Sequence, residues 1–225
     1  MKKFFHLVLA FSCLVLFSCE KEETGEIDQS KIHTEYEVYY DANKEITVAK
    51  VTFRNASEEG DKLKLSSSAK VTFNDTELTL DEGQTLYSLT LNDEVLSGTF
   101  EFTDTDGEVF TNSIDLKSIA FQTDDDTLST VNDFVFTWIG DAVRTDESVS
   151  FNINDYYSGN VTLFVQEELN ATSITMLKAD LADLVAGTSS CIVERTYSPS
   201  LKKKSSAGGF ISSRYRAKNQ SYVIE

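Results

Sequence analysis

Apolar and polar residues alternate with a period of two along most of this chain. Tyr36, Val38 and Tyr40 alternate with Glu35, Glu37 and Tyr39, and Thr47, Ala49, Val51 and Phe53 alternate with Ile46, Val48 and Lys50. Val71 and Phe73, then Leu78 and Leu80, flank Asn74-Asp75, a pair suited to a tight hairpin turn. Tyr87, Leu89 and Leu91 continue the pattern, and Phe100 and Phe102 run into Asp104-Thr105-Asp106-Gly107 before Val109-Phe110 returns. Further on, Phe134, Phe136 and Trp138 share a face, and Val149, Phe151 and Ile153 alternate with Ser148, Ser150, Asn152 and Asn154. Val161, Leu163 and Val165 make another strand. This alternation, with turn residues between runs, predicts half-buried antiparallel strands. Such strands need a second sheet over the apolar face, hence a sandwich. The leucine spacing from Met176 to Leu184 predicts only one or two helical turns, which Gly187 stops. Residues 190–197 and 210–216 read as a hairpin with Lys202, Lys203 and Lys204 at its tip, and 222–225 as a last strand.

The acidic run Asp124-Asp125-Asp126 suggests a domain boundary near 115–125. The predicted architecture is all-β, with two immunoglobulin-like antiparallel β-sandwich domains at 33–116 and 117–225. They follow a signal segment at 1–18 and a flexible tether at 19–32. With Pro199 as the chain's one proline, strand edges are guarded by charge rather than by proline.

Charge narrows the partners. The formal balance of −17 disfavours nucleic acid and anionic membrane surfaces, and suits solubility and divalent cations. Residues 191–225 differ, with seven Lys or Arg against Glu194 and Glu225. That stretch reads as a solvated basic loop, or as strands lying against an acidic surface of a partner or of the same protein. Cys191 has no second cysteine to pair with once Cys13 and Cys19 are spoken for, and reads as a small core residue. Beyond the first 18 residues His33 is the one histidine, which argues against His-based metal centres and Ser-His-Asp triads. A carboxylate-pair hydrolase is left as a distant alternative.

The first two dozen residues carry the most specific signal. Lys2 and Lys3 precede a mostly apolar run from Phe4 to Phe17, too short to span a bilayer, which needs about 20 residues. Leu16-Phe17-Ser18-Cys19 resembles the lipobox of bacterial lipoproteins, with Cys19 as the acylated residue. Cys13 fits less well, because cleavage there would leave Leu14 to Phe17 as an exposed apolar stub. Acylation would anchor the chain in outer-membrane lipid, two or more chains holding where one only visits. Cys19-Glu20-Lys21-Glu22-Glu23 resembles the export tag of Bacteroidota surface lipoproteins, which implies a protein facing the medium; a solvated acidic tether is the alternative.

Two longer stretches resemble the immunoglobulin-like regions of uncharacterised Bacteroidota outer-membrane lipoproteins. The first is carried by Tyr39-Tyr40-Asp41, Val51-Thr52-Phe53-Arg54 and Val71-Thr72-Phe73-Asn74, the second by Phe134-Val135-Phe136-Thr137-Trp138 and Leu181-Ala182-Asp183-Leu184. The resemblance implies tandem sandwiches and no catalytic residues. It leads to an expected role as a lipid-anchored envelope binding module for a glycan or an envelope protein. The alternative is an adhesion or assembly subunit that binds protein through sheet edges or the basic C-terminal hairpin.

Candidate sites are few. Asp104 and Asp106 place oxygens at alternate positions, which suits Ca²⁺, yet Asp-Gly between strands equally marks a hairpin; no other cofactor is expected. Asp126-Thr127-Leu128 resembles a Bacteroidota O-glycosylation acceptor in a loop, with Thr127 as the modified residue. Trp138 suits the second core better than a sugar platform. Tyr156 and Tyr157, beside Asp155 and Asn160, suit carbohydrate stacking or, for one of them, loop anchoring.

Overall fold

The computed structural model describes residues 22–122, 126–154 and 161–225. Nine strands come first: β1 Ile32–Asp41, β2 Ile46–Asn55, β3 Lys62–Leu63, β4 Lys70–Phe73, β5 Thr76–Glu77, β6 Thr79–Asp81, β7 Leu86–Leu91, β8 Ser97–Thr103 and β9 Val109–Asp115. β10 Ala120–Phe121, β11 Thr127–Leu128, β12 Phe134–Ile139, β13 Glu147–Asn154, β14 Val161–Gln166 and β15 Ser173–Met176 follow. Then come the single helical turn α1 Lys178–Leu181 and the strands β16 Gly187–Tyr197, β17 Gly209–Arg216 and β18 Gln220–Ile224. The fold is the all-β sandwich arrangement that the period-two pattern predicts.

One long sheet underlies the molecule, running β11-β18-β16-β17-β1-β2-β7-β6, with β13 and β14 on the other side of β16 and β3 beside β2. The sheet β5-β4-β8-β9 faces its first half and the sheet β10-β12-β15 faces its second. Two apolar cores result, the first built from Ile32 to Leu116 with Ile211 added, the second from Ile119 to Ile224. The first is aromatic: Phe53 packs on Phe102 and Tyr87, and Phe100 on Tyr36 and Phe73, at centroid distances of 4.6–5.8 Å. The second gathers Phe121, Phe136, Phe151 and Tyr222, with Trp138 buried and its indole N–H donating to Asp141 O. Cys191 is fully buried in this core, and burial pushes its thiol up to about 12.

The halves are not joined by a simple linker. β16 pairs with β18 through Gly187–Cys191 and with β17 through Glu194–Tyr197, so one strand serves both sandwiches. β17 then pairs in parallel with β1 across Thr34–Asp41, and Ile211 enters the first core. This pair and a short one between β11 and β18 are parallel, while the other strand pairs among the described residues are antiparallel.

The expected tether is shorter than 19–32. Thr24 is buried and donates its amide to Lys64 O at 2.8 Å, Gly25 N donates to Ser66 Oγ at 2.6 Å, and Gln29 reaches the carbonyls of Thr24 and Ile27. Two 3-10 turns, Thr24–Glu26 and Gln29–Lys31, lay this segment on the first sandwich. Its polar composition suggested a solvated chain; those polar groups instead find partners in the 64–66 backbone and in one another. His33 sits in β1, and its Nδ1 meets Ala207 O at 3.0 Å.

Candidate functional site

The long sheet has one face on the two cores and, among the described residues, one face open. Along β1, Tyr36, Val38 and Tyr40 point inward, so Glu37 and Tyr39 point outward. Register carries that outward face sideways: Tyr39 lies opposite Arg214 on β17 and Val48 on β2, and Glu37 opposite Ser212 and Lys50. Arg214 in turn lies opposite Thr196 of β16, and Arg216 opposite Glu194. Together with Phe210 these residues line a groove of about 680 Å³.

The groove has a defined centre. The Arg214 guanidinium lies over the Tyr39 ring, 4.8 Å from its centroid, a cation–π arrangement. It also forms a loose ion pair with Glu194 at 3.9 Å, beyond hydrogen-bond distance. Arg216 Nη2 donates to Asn219 Oδ1. Partial burial raises the Tyr39 hydroxyl pKa, while the neighbouring Arg216 pulls the other way. Sequence reading passed over this site because its residues come from the first and the last long strands, which only the parallel β1–β17 register brings side by side. The available signal was Arg214 and Arg216 at i, i+2, on the polar face of a strand.

A second feature of the sheet is its edge at β14, which among the described residues pairs only with β13. Opposite residues of an antiparallel pair share a face, so Phe164 beside Phe151 turns to the core. Val161, Leu163 and Val165 consequently point out, 63%, 56% and 51% exposed. Of the alternating apolar sets, this one lies on the solvent side.

Buried charge serves structure. Arg195 and Glu147, each almost wholly inaccessible, form a short ion pair. Arg195 also donates to the carbonyls of Asp141 and Ala142, and Glu147 accepts the amide of Arg144. The pair therefore pins the 141–147 loop to β16. Arg54 Nε of β2 donates to Glu35 Oε1 of β1 at 2.7 Å.

The sites expected from sequence fall in several places. Cys19 lies outside the described residues, as do Tyr156 and Tyr157. Asp104 is buried, and its Oδ1 accepts the amides of Asp106 and Glu108 at 2.9 and 2.8 Å, closing a turn completed by Gly107 at φ +83°. Asp106 is part of that turn, and no group of three or more His, Cys, Asp or Glu converges to hold a metal among the described residues. Thr127 is exposed, but on the short strand β11 beside β18 rather than in a loop; its hydroxyl donates to Asp126 Oδ1 at 3.1 Å. The basic C-terminal stretch is largely engaged within the chain. Lys203 pairs with Glu108 and stands over Phe110, and Lys218 pairs with Glu45. Among the described residues no helix is long and apolar enough to cross a membrane.

Fold and open face together define an all-β double sandwich with a polar, partly cationic sheet surface. No family model matches the chain. No curated protein matches it in sequence. Among solved structures it is similar to a tetra-tandem repeat from the extending region of a large adhesion protein, at 17% identity over 84% of this chain and 49% of that one, TM-score 0.26. A second similar structure is titled for host cell surface retention of a 1.5-MDa bacterial ice-binding adhesin, at 15% identity over 88% of this chain and 66% of that one, TM-score 0.24. The chain thus spans about half the length of the first and just under two thirds of the second.

Proposed function

We propose that the chain is a lipid-anchored envelope binding module that docks a protein partner by strand addition at β14. The leader-like segment and Cys19 supply the anchor in the outer membrane and the placement at the cell surface. The observation that supports docking is the unguarded edge. Val161–Gln166 has no charge, no proline and no glycine, it is paired on one side among the described residues, and its outward positions are apolar. Natural sheets normally blunt such edges with charge, proline or a covering element, so an open one marks an intended partner. An incoming strand would take main-chain hydrogen bonds from β14 and specificity from its alternate side chains.

The test is cross-linking on intact cells with the native chain, Leu163→Lys and Cys19→Ala. The native chain should give a discrete adduct and fractionate with membranes. Leu163→Lys should lose the adduct and keep the membrane fraction, and Cys19→Ala should leave the membrane. An undiminished adduct in Leu163→Lys would sink the docking reading, and membrane retention of Cys19→Ala would sink the anchor.

A further inference from the structure

We propose that the groove centred on Tyr39 and Arg214 is a binding site for carboxylate-bearing glycans, separate from the β14 edge. The groove lies over β1, paired on both sides, and over β17, paired with β1 along its length and with β16 over Ser213–Arg216, so at the Tyr39–Arg214 centre the backbone groups are consumed in the ladders. Recognition at that centre has to come from side chains, which favours a ligand rich in its own hydroxyl and charged groups over an added strand.

The side chains suit an acidic sugar. Tyr39 holds the Arg214 guanidinium over its ring, 4.8 Å from the centroid, and a guanidinium so placed can bind a carboxylate in bidentate fashion. The Arg214 side chain is 53% exposed, and its ion pair with Glu194 is loose, at 3.9 Å, which leaves its N–H groups accessible to a closer carboxylate. Lys50 adds a second cation across the sheet, opposite Glu37. Phe210 supplies an apolar surface for the C–H face of a pyranose ring, and Thr196 and Ser212 supply hydroxyls beside it. The volume of about 680 Å³ lies within the usual range of small-ligand sites, about 300–1,000 Å³.

Charge points the same way. Lys50, Arg214 and Arg216 outnumber Glu37 and Glu194 in a chain whose overall balance is −17. A local cationic groove on an acidic protein selects a short anionic ligand, because an extended polyanion would meet the surrounding negative surface.

The test is calorimetric titration of the chain from residue 20 onward, which contains every described residue, with a galacturonate trisaccharide and with a neutral galactose trisaccharide. The acidic sugar should bind, the neutral one at least about tenfold more weakly, the scale of one charge-assisted hydrogen bond. Arg214→Gln and Lys50→Gln should each weaken the acidic sugar by a similar factor. Arg214→Lys should not rescue, for want of the planar fork, and Leu163→Lys should bind as the native chain does. Failure of the galacturonate trisaccharide to bind, equal binding of the neutral sugar, or native affinity in both Gln variants would overturn the assignment. Since Lys50 lies on a different strand from Arg214, a folding defect in one variant leaves the other to decide.

Discussion

The two sandwiches treat their edges differently. In the first, β6 is three residues long and ends at Asp81, beside Glu82, and β5 has two residues. The outer strand β9 alternates buried Phe110, Asn112 and Ile114 with Thr111, Ser113 and Asp115, and the 199–204 loop is tied to it by Asn112 and Lys203. In the second, β14 is six residues long, uncharged and apolar on its open side. Both halves follow the same rules of alternation and core formation, so the difference is local. A protected edge makes a self-sufficient sandwich, whereas an unprotected one leaves backbone and apolar surface for another chain.

Several substitutions would break or sharpen this contrast. The largest effect is expected at the buried pair that anchors the second sandwich. Arg195→Ala leaves Glu147 charged and buried, and should cost about 3–5 kcal/mol in denaturant unfolding. In the first sandwich, Gly98→Ala places a Cβ 2.0 Å from the Phe73 ring in a filled core, and should cost about 1–3 kcal/mol. Because β16 and β17 belong to both halves, calorimetry of the native chain should give one cooperative transition; two resolved transitions would show that the sandwiches are independent.

Smaller effects follow at Cys191. Its thiol pKa is raised in the folded state by burial, from 9.0 to about 12. The neutral thiol therefore favours the fold fully below pH 9, and this contribution is lost as pH rises from 9 toward 12. Cys191→Ala should flatten that part of the alkaline stability profile, and the native thiol should resist alkylation until the chain unfolds. Leu163→Lys should change stability least, within about 0.5 kcal/mol as for exposed sites in general, while abolishing partner capture.

Much of the fold was legible in the alternation. The inward faces of β1, β2, β4, β8 and β13 are the apolar sets read from sequence, and Asn74-Asp75 forms its turn with φ of 48° and 64°. The short turn at Lys178–Leu181 and the buried roles of Trp138 and Cys191 were legible too. β14 misleads for a physical reason: Val-Thr-Leu-Phe-Val-Gln offers apolar residues on both faces, and only pairing with β13 decides that Phe164 turns inward. The N-terminal segment 22–31 was read as tether because hydrogen bonds from Thr24 and Gln29 leave no trace in hydropathy. The groove was invisible because parallel pairing of β1 with β17 joins residues some 175 positions apart. Long-range register of that kind has no local signature.

The account turns on β14, and its most direct test is site-specific photo-cross-linking on living cells. A photoreactive residue replacing Leu163 is compared with one replacing Thr111 on the protected edge strand β9. The account predicts a discrete adduct from position 163 that maps to one extended segment of one partner, disappears with Val165→Lys, and has no counterpart from position 111. Equal labelling from both positions, or none from 163, would contradict it.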